Sequence, residues 1–271
     1  TVPGGLRKFK YEMGDKHNER IESLNAAFGT DFAGWNAFYV LPGNVLSRRA
    51  IPPDTPMARA LDEFTARQPA GMRYLFSVEG FFKRLYLKTQ YTKDIAEYNR
   101  SHGTAYRSYD DIVLTRALPE DGTDVEKKDW ETFVRSSLNL LWIRAEPGAA
   151  PAYREYLRAK YLVVDKLNRA HGSGYASFDE VPLVGEPPNG GLVLSDWDAF
   201  ITGWKDPDTG TMHMLPAEFL RVHSIEFEFR DYLAAKTGAD TGSLRHVLPP
   251  QRDLHYFAFL DMRNPLRSEF V

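Results

Sequence analysis

Three segments of this chain share one pattern, and this internal repetition restricts the fold more than any other feature of the sequence. The segments are residues 21–32, 95–106 and 164–175, which we call the first, second and third copies. In each copy an Asn precedes a Gly by four residues. The recurring Asn residues lie 74 and 69 residues apart, at Asn25, Asn99 and Asn168. Such spacing indicates that the chain repeats one structural unit.

The second and third copies also share the sequence that follows them. Each continues into a Ser that has an acidic residue three positions later, and then into a Pro-containing stretch. Each next reaches an Asp-Trp pair with a Phe three residues after the Trp, and these pairs are Asp129-Trp130 and Asp196-Trp197. Residues 229–236 resemble residues 153–160, which precede the third copy, so a degenerate fourth unit begins near residue 229.

Each copy has the features of a helix that ends at its Gly. In the first copy, the apolar residues Ile21, Leu24 and Phe28 follow the helical period and mark one face. The Gly that follows can adopt the left-handed conformation that closes a helix. We expect the Asn to hydrogen-bond the departing loop, and the aromatic residue three positions after the Gly to fold back over the helix end. The Ser-x-x-Asp and Ser-x-x-Glu motifs that come next predict capping boxes.

We therefore predict a mainly α fold of tandem helix-loop repeats with a minor β-hairpin. It forms a single repeat domain over residues 1–271, with about three units and a partial fourth, at approximately 6–79, 80–152, 153–228 and 229–271. The hairpin is predicted within residues 199–214, where a turn is flanked by Trp204-Lys205 and Thr211-Met212. For residues 255–260 the pattern fits either a short strand or a buried helix.

Composition and charge exclude several classes of function. The chain has no cysteine, which rules out disulfides and thiolate metal sites. Its formal net charge is −3 and it has no basic stretch, so we expect no nucleic-acid partner. The longest apolar runs, such as residues 140–143, are far shorter than the roughly 20 residues that cross a bilayer. We therefore predict no membrane span in this chain.

Two pairs of neighbouring acidic residues are candidates for general acid and base, and they are Asp110-Asp111 and Asp179-Glu180. They recur at equivalent points of successive units, whereas an active site needs unique groups that converge on one pocket. The first unit has Asn36-Ala37 at about the same place. We therefore interpret both pairs as caps of a repeated turn.

The histidines form no metal-ligand pattern. His102 and His171 occupy the position that Phe28 holds in the first copy, which indicates packing at a helix end or a favourable interaction with the helix dipole. His213 and His223 have no third ligand at metal spacing. A Gly-rich phosphate loop, a Gly-x-Ser-x-Gly elbow and a His-Glu-x-x-His motif are missing as well. We predict no catalytic residue, no metal site and no cofactor.

Tryptophans outside the Asp-Trp pairs are the remaining candidates for ligand binding, and they are Trp35, Trp142 and Trp204. An exposed indole ring stacks on a sugar face and offers its N–H as a donor. We select Trp204, on the inserted hairpin, and Trp35 as candidate ligand-binding residues. The alternative is that these rings belong to the hydrophobic core.

Part of the third unit resembles a known family. Residues 153–161 read YREYLRAKY, and residues 165–180 read DKLNRAHGSGYASFDE. This stretch resembles the helix-loop segment of glycoside hydrolase family 42 β-galactosidases, which decorates their TIM barrel away from the catalytic centre. That family takes its catalytic Glu residues from the ends of barrel strands. Here the only Asn-Glu dipeptide, Asn18-Glu19, follows no strand pattern, and eight strand-helix alternations are missing, so the resemblance does not imply catalysis.

Tandem copies of this unit are also similar to the large extracytoplasmic insertions of some bacterial sugar-type ABC transporter permeases. That resemblance implies a non-catalytic, periplasmic domain of a membrane-bound parent protein, which binds a carbohydrate or docks a solute-binding protein. The chain begins at Thr1 without a Met or a signal-peptide pattern and stops at Val271 without a polar tail, so we expect it to be part of a longer protein. Two alternatives stay open, namely a fragment or relative of a family 42-like glycoside hydrolase and a generic protein-interaction scaffold.

Overall fold

The computed structural model of the chain describes residues 3–38, 46–49, 54–68, 74–249, 251–254 and 257–260. Over these residues the chain is mainly helical, and its short strands form small antiparallel sheets. The mainly α class with a minor β component is therefore confirmed. The chain divides into two compact regions. The terminal region consists of residues 1–44, 52–77 and 248–271, and the central region consists of residues 45–51 and 78–247. The repeat boundaries drawn from the sequence stay a prediction.

The elements are named in chain order. The helices are α1 (Pro3–Lys16), α2 (Ile21–Phe28), α3 (Pro56–Arg67), α4 (Val78–Phe81), α5 (Leu87–Tyr91), α6 (Ile95–His102), α7 (Asp124–Thr132), α8 (Ala150–Tyr161), α9 (Val164–His171), α10 (Gly191–Thr202) and α11 (Ile225–Thr237). The strands are β1 (Tyr74–Phe76), β2 (Ile143–Ala145), β3 (Trp204–Lys205), β4 (Met212–His213), β5 (Leu220–Val222), β6 (Gln251–Leu254) and β7 (Phe257–Leu260). Among the described residues, no helix combines the length and the apolar composition needed to cross a bilayer.

Three helices form the core of the terminal region. Phe9 and Met13 lie four residues apart on one face of α1, and Leu24 of α2 and the α3 residues Leu61 and Phe64 belong to the same buried cluster. Burying each of these side chains stabilises the fold by about 1.5–3 kcal/mol. Strands β1, β7 and β6 of this region form an antiparallel sheet in that order. The ambiguous segment is thus a strand over β7, while residues 255–256 lie outside the described residues.

Aromatic rings fill the core of the central region at two equivalent places. The ring centroids of Tyr86 and Phe133 lie 5.1 Å apart, and those of Tyr156 and Phe200 lie 5.7 Å apart. In both pairs the Phe is the third residue after the Trp of an Asp-Trp pair. The Phe that recurs in the sequence is therefore a core residue that fixes the Asp-Trp helix, α7 or α10, against the helix before its copy.

A buried ion-pair network also belongs to the central region. Glu79 of α4 accepts hydrogen bonds from Lys83 at 3.1 Å and from Arg230 of α11 at 2.8 Å. Lys83 lies in a π-helical turn, Phe82–Tyr86, that connects α4 to α5. Since all three side chains are at least nine-tenths buried, each charge depends on its partners to offset the loss of water.

The three copies end their helices with the same backbone geometry. Gly29, Gly103 and Gly172 have φ angles of 65°, 68° and 65°, in the left-handed region that favours glycine. In the second copy, Asn99 Nδ2 donates to the carbonyl of Tyr106 at 2.8 Å, and the Tyr106 N–H donates to Asn99 Oδ1 at 3.0 Å. The other two copies make the same pair of bonds at closely similar lengths. The predicted helix ends and Asn bonds are confirmed.

The predicted hairpin is confirmed as well. Trp204 of β3 pairs with His213 of β4, so the second strand begins one residue later than expected, and residues 199–202 form the end of α10. Asp206 fixes the turn, because its carboxylate accepts from the N–H of Asp208 and the hydroxyl of Thr209, both at 2.8 Å. These bonds lower the pKa of Asp206.

Candidate functional site

The two acidic pairs hold their own turns. Ser108 and Asp111 form a complete capping box at the 3₁₀ turn Tyr109–Asp111, and Asp110 pairs with Arg84 at 3.1 Å. In the third unit, Ser177 caps the turn Phe178–Glu180, but the predicted capping box is incomplete, because Glu180 does not accept from the N–H of Ser177. There the carboxylate of Glu180 accepts from the N–H of Ala176 at 2.9 Å, and Asp179 pairs with Arg158. Each of these carboxylates therefore has a local partner that accounts for its position.

The second copy contains a buried His–Asp pair. Nε2 of His102, at the end of α6, lies 2.9 Å from Oδ2 of Asp129 on α7, and its Nδ1 lies 2.8 Å from the carbonyl oxygen of Tyr98. The His102 ring stacks on the ring of Tyr98 at 3.7 Å, and the Tyr91 hydroxyl donates to Asp129 Oδ1 at 3.0 Å. Both ring nitrogens of His102 therefore lie within hydrogen-bond distance of an oxygen.

The third copy repeats the pair and adds a cation. His171 Nε2 lies 2.8 Å from Asp196 Oδ2, and the Tyr161 hydroxyl donates to the same oxygen at 2.7 Å. Lys160 donates to Asp196 Oδ1, and the Tyr156 hydroxyl lies 3.4 Å from that atom. The Asp196 carboxylate is fully buried. We call Lys160, Tyr161, His171 and Asp196 the Asp196 cluster.

Electrostatics in the Asp196 cluster favour the ionised carboxylate. Burial by itself would raise the pKa of Asp196, but hydrogen bonds from His171, Lys160 and Tyr161 outweigh it and lower the pKa below its ordinary value. Burial raises the pKa of Tyr161, and its bond to the Asp196 carboxylate adds to that increase. The cluster therefore consists of a carboxylate surrounded by hydrogen-bond donors.

Sequence reasoning placed the two histidines at helix ends but missed their acidic partners. A signal was present, because both copies with a His also have an Asp-Trp pair downstream, whereas the first copy has Phe28 and no such pair. In the structure, the ring of Phe28 makes an edge contact with His17 at 5.8 Å. Tyr161 and His171 make an edge contact at the same centroid distance. The first copy thus keeps a contact between two aromatic rings at this place, but it lacks the Asp-Trp pair that supplies the carboxylate in the other two copies.

A cavity of about 300 Å³ opens beside the second copy. Its aromatic lining consists of Phe82, Tyr98, Tyr106 and Trp130. Its acidic lining consists of Asp111, Glu120, Asp121, Glu126 and Asp129. Basic side chains also line it, and they are Arg245 and His246. We call this space the Asp129 cavity. Small-molecule sites combine apolar and aromatic surface with a few polar groups, and this cavity differs from them in its five acidic residues.

The phenols of the Asp129 cavity are hydrogen-bond donors at neutral pH. Burial is the main cause that raises the pKa of Tyr98 and Tyr106, and the negative charge of Glu126 raises both further. The Tyr106 hydroxyl lies 3.3 Å from Glu126 Oε1. Glu126 is itself fixed by the capping box of α7, because its other oxygen accepts from the N–H of Thr123 at 2.9 Å.

The two tryptophans selected from the sequence are both half-buried. Trp35 lies in the terminal region and Trp204 in the central region. The Trp35 N–H donates to the carbonyl of Glu19 at 2.8 Å, and its ring contacts Phe38. Trp204 makes an edge contact with Tyr156 at 5.6 Å. Neither residue lines the Asp129 cavity. Their role in ligand binding stays a prediction.

Metal ligation finds no support in the part of the chain that the structure describes, where no group of three or more His, Asp and Glu side chains has metal-binding geometry. The chain matches no protein-family model, no curated protein and no solved structure.

Proposed function

We propose that this chain is a non-catalytic domain of tandem helix-loop units, from the extracytoplasmic part of a bacterial carbohydrate-type ABC transporter permease, and that it binds a sugar. The observation that carries the proposal is the Asp129 cavity, which offers ring faces and acceptors together. Tyr106 presents its ring and hydroxyl there, beside the carboxylates of Glu126 and Asp129. Sugars are recognised by this combination, because their C–H faces pack on rings and their hydroxyls donate to carboxylates.

The absence of catalysis is supported by the partners of the acidic pairs. Asp111 and Glu180 accept hydrogen bonds from loop N–H groups, and Asp110 and Asp179 pair with Arg side chains. A general acid requires a carboxyl whose pKa lies near the working pH, usually through burial or a neighbouring carboxylate. These four exposed carboxylates instead cap a turn or pair with an Arg side chain.

The tandem organisation is supported by the hydrogen bonds that recur in the three copies and by the His–Asp pair that recurs in two. A repeat of this kind presents its loops in series, and binding faces of repeat proteins are commonly built from such loops.

Docking of a solute-binding protein is a second candidate, and one specific observation favours it. Leu162 and Val163, in the turn between α8 and α9, are 67% and 51% exposed. The matching turn before the second copy, between α5 and α6, consists of Thr92, Lys93 and Asp94. An exposed apolar pair at a turn whose counterpart is polar suits contact with another protein.

The test is calorimetric titration of the full chain with a panel of neutral monosaccharides, together with an assay for hydrolysis of aryl glycosides. A ligand of about a dozen non-hydrogen atoms is expected to bind with a dissociation constant of about 1 mM or tighter, without turnover. Hydrolysis of an aryl galactoside that Glu180→Gln abolishes would contradict the proposal. The parent gene is expected to encode membrane helices on both sides of this chain.

A further inference from the structure

We infer that the Asp129 cavity accepts a single sugar ring that carries no negative charge, and that Asp129 anchors it by accepting a hydrogen bond from a ring hydroxyl. This inference rests on the proposed function and names its ligand class and its anchoring residue. Its central observation is a difference between two otherwise equivalent carboxylates of the same chain.

Asp129 has accepting capacity that Asp196 lacks. A carboxylate offers about four lone-pair positions. Donors that surround Asp196 come from four side chains, which are Lys160, Tyr161, His171 and Tyr156. Among the described residues, Asp129 receives one hydrogen bond from Tyr91 and one from His102. It also lines the cavity, so its remaining accepting positions are available to a ligand there.

One sequence difference that contributes to this lies directly before the Tyr that bonds each Asp. Lys160 directly precedes Tyr161, and the residue that directly precedes Tyr91 is Gln90, which is exposed. In the third unit the ammonium group of Lys160 lies on the carboxylate and occupies the place of a ligand. In the second unit a neutral, exposed side chain replaces it, so a ligand hydroxyl can take the role of that donor.

The loop beside the cavity also differs between the units. The Trp130 N–H donates to the carbonyl of Thr115, fifteen residues earlier, at 2.9 Å. The Trp197 N–H donates to the carbonyl of Val184, thirteen residues earlier, at 3.0 Å. The crossing segment of the second unit is thus two residues longer between matched contacts. That segment contains Glu120 and Asp121, which line the cavity.

Charge and size restrict the ligand. Five acidic residues and two basic residues, Arg245 and His246, line the space, and Nε of Arg245 lies 3.2 Å from Nε2 of His246. A negatively charged ligand would be repelled, while hydroxyl or ammonium donors would find acceptors. A volume of about 300 Å³ holds about ten waters at roughly 30 Å³ each, which suits one hexose ring and not an oligosaccharide.

The test compares three ligands by calorimetry with the full chain, namely a neutral aldohexose, the corresponding amino sugar and the corresponding uronic acid. We expect the neutral and amino sugars to bind at least about tenfold more tightly than the uronic acid. Equal or tighter binding of the uronic acid would overturn the inference and leave the proposed function intact. Absence of binding by all three would overturn both.

The anchor is tested with a matched pair of variants. Asp129→Asn is expected to weaken hexose binding by about tenfold or more, because an amide accepts a hydroxyl far less strongly than a carboxylate does. Asp196→Asn makes the same change in a cluster that lines no part of the cavity, and it should leave affinity within about twofold. An unchanged affinity in Asp129→Asn, or an equal loss in both variants, would overturn the assignment of the anchor.

A second pair protects the test if Asp129→Asn does not fold. Tyr106→Ala removes a ring of the cavity lining, and Tyr175→Ala removes the matching ring of the third copy. We expect the first to weaken binding about tenfold and the second to leave it unchanged. At the exposed lining, Glu120→Gln with Asp121→Asn should bring the affinity of the uronic acid closer to that of the hexose. The inference fails if the uronic acid gains nothing in this variant.

Discussion

The second and third units solve the same packing problem with different amounts of charge. Both place a His from a helix end against the Asp of an Asp-Trp pair, and both add a Tyr hydroxyl to that Asp. The third unit then adds Lys160, which leaves Asp196 fully buried. In the second unit the Asp129 side chain is 12% exposed and lines a cavity. Lys160 and a crossing segment that is two residues shorter thus distinguish the closed Asp196 cluster from the open Asp129 cavity, while the Gly residues that end the two copies keep the same conformation.

The largest difference is expected when the carboxylates are removed. Asp196→Ala leaves Lys160 and His171 without their buried partner, so we expect a loss of about 3–5 kcal/mol in the free energy of unfolding. Asp129→Ala should cost less, because fewer donors lose an acceptor. Urea denaturation at neutral pH measures both. Asp179→Ala, at an exposed pair, is the control and should cost at most about 1 kcal/mol. The comparison breaks if Asp129→Ala proves the more costly variant.

Histidine replacements should reverse that order. His102→Phe and His171→Phe introduce the residue that the first copy carries at this position, so the ring and the helix end are kept. His102→Phe is expected to cost about 1–3 kcal/mol, because Asp129 then keeps only its bond from Tyr91. His171→Phe should cost less, since Lys160 and Tyr161 still donate to Asp196. Equal losses in the two unfolding curves would show that the remaining donors do not matter.

Acid titration should sharpen the comparison further. The folded-state pKa of Asp196 lies below its ordinary value of 3.8, so its contribution to stability is complete above that pH and is lost as pH falls through the lower, folded-state value. Urea midpoints measured across this acidic range should therefore fall less steeply for Asp196→Asn than for the unmodified chain. Identical slopes would contradict the assigned charge state.

The smallest effect is expected at the helix ends. Gly103→Ala and Gly172→Ala each place a Cβ on a residue with positive φ, where no atom lies within 4 Å of the added carbon. The cost is therefore conformational alone, about 1 kcal/mol, and should be equal in the two units. Thermal unfolding of both variants measures it. A clear inequality would mean that the copies differ in backbone environment as well as in charge.

Local features of the fold could be predicted from the sequence, because their causes lie within about a dozen residues. The left-handed Gly, the Asn bonds and the Ser caps each depend on one short motif, so the printed pattern of the copies is enough to predict them. The hairpin was predictable for the same reason, since Asp206 and Gly210 determine its turn.

The candidate site could not be predicted in this way, because its parts meet only after packing. His102 and Asp129 are 27 residues apart and lie on different helices, so no spacing rule connects them. Arg245 and His246 reach the cavity lining from beyond α11, more than a hundred residues after the second copy ends. Conversely, Trp35 and Trp204 are candidates because they lie outside the Asp-Trp pairs, and Trp204 also because it lies on the inserted hairpin. The structure shows both rings against other aromatic residues.

The π-helical turn Phe82–Tyr86 has a consequence for how the second unit tolerates change in length. Such a turn holds one residue more than an α-helical turn, so the helix before it is rotated by about 100° relative to the helix after it. Glu79, before the turn, meets Arg230, and Tyr91, after it, meets Asp129. Deleting one residue here would restore a regular helix and force the chain to keep one of these pairings and abandon the other. The extra residue therefore sets the rotation between the two parts of one continuous helix, so that Glu79 faces Arg230 and Tyr91 faces Asp129.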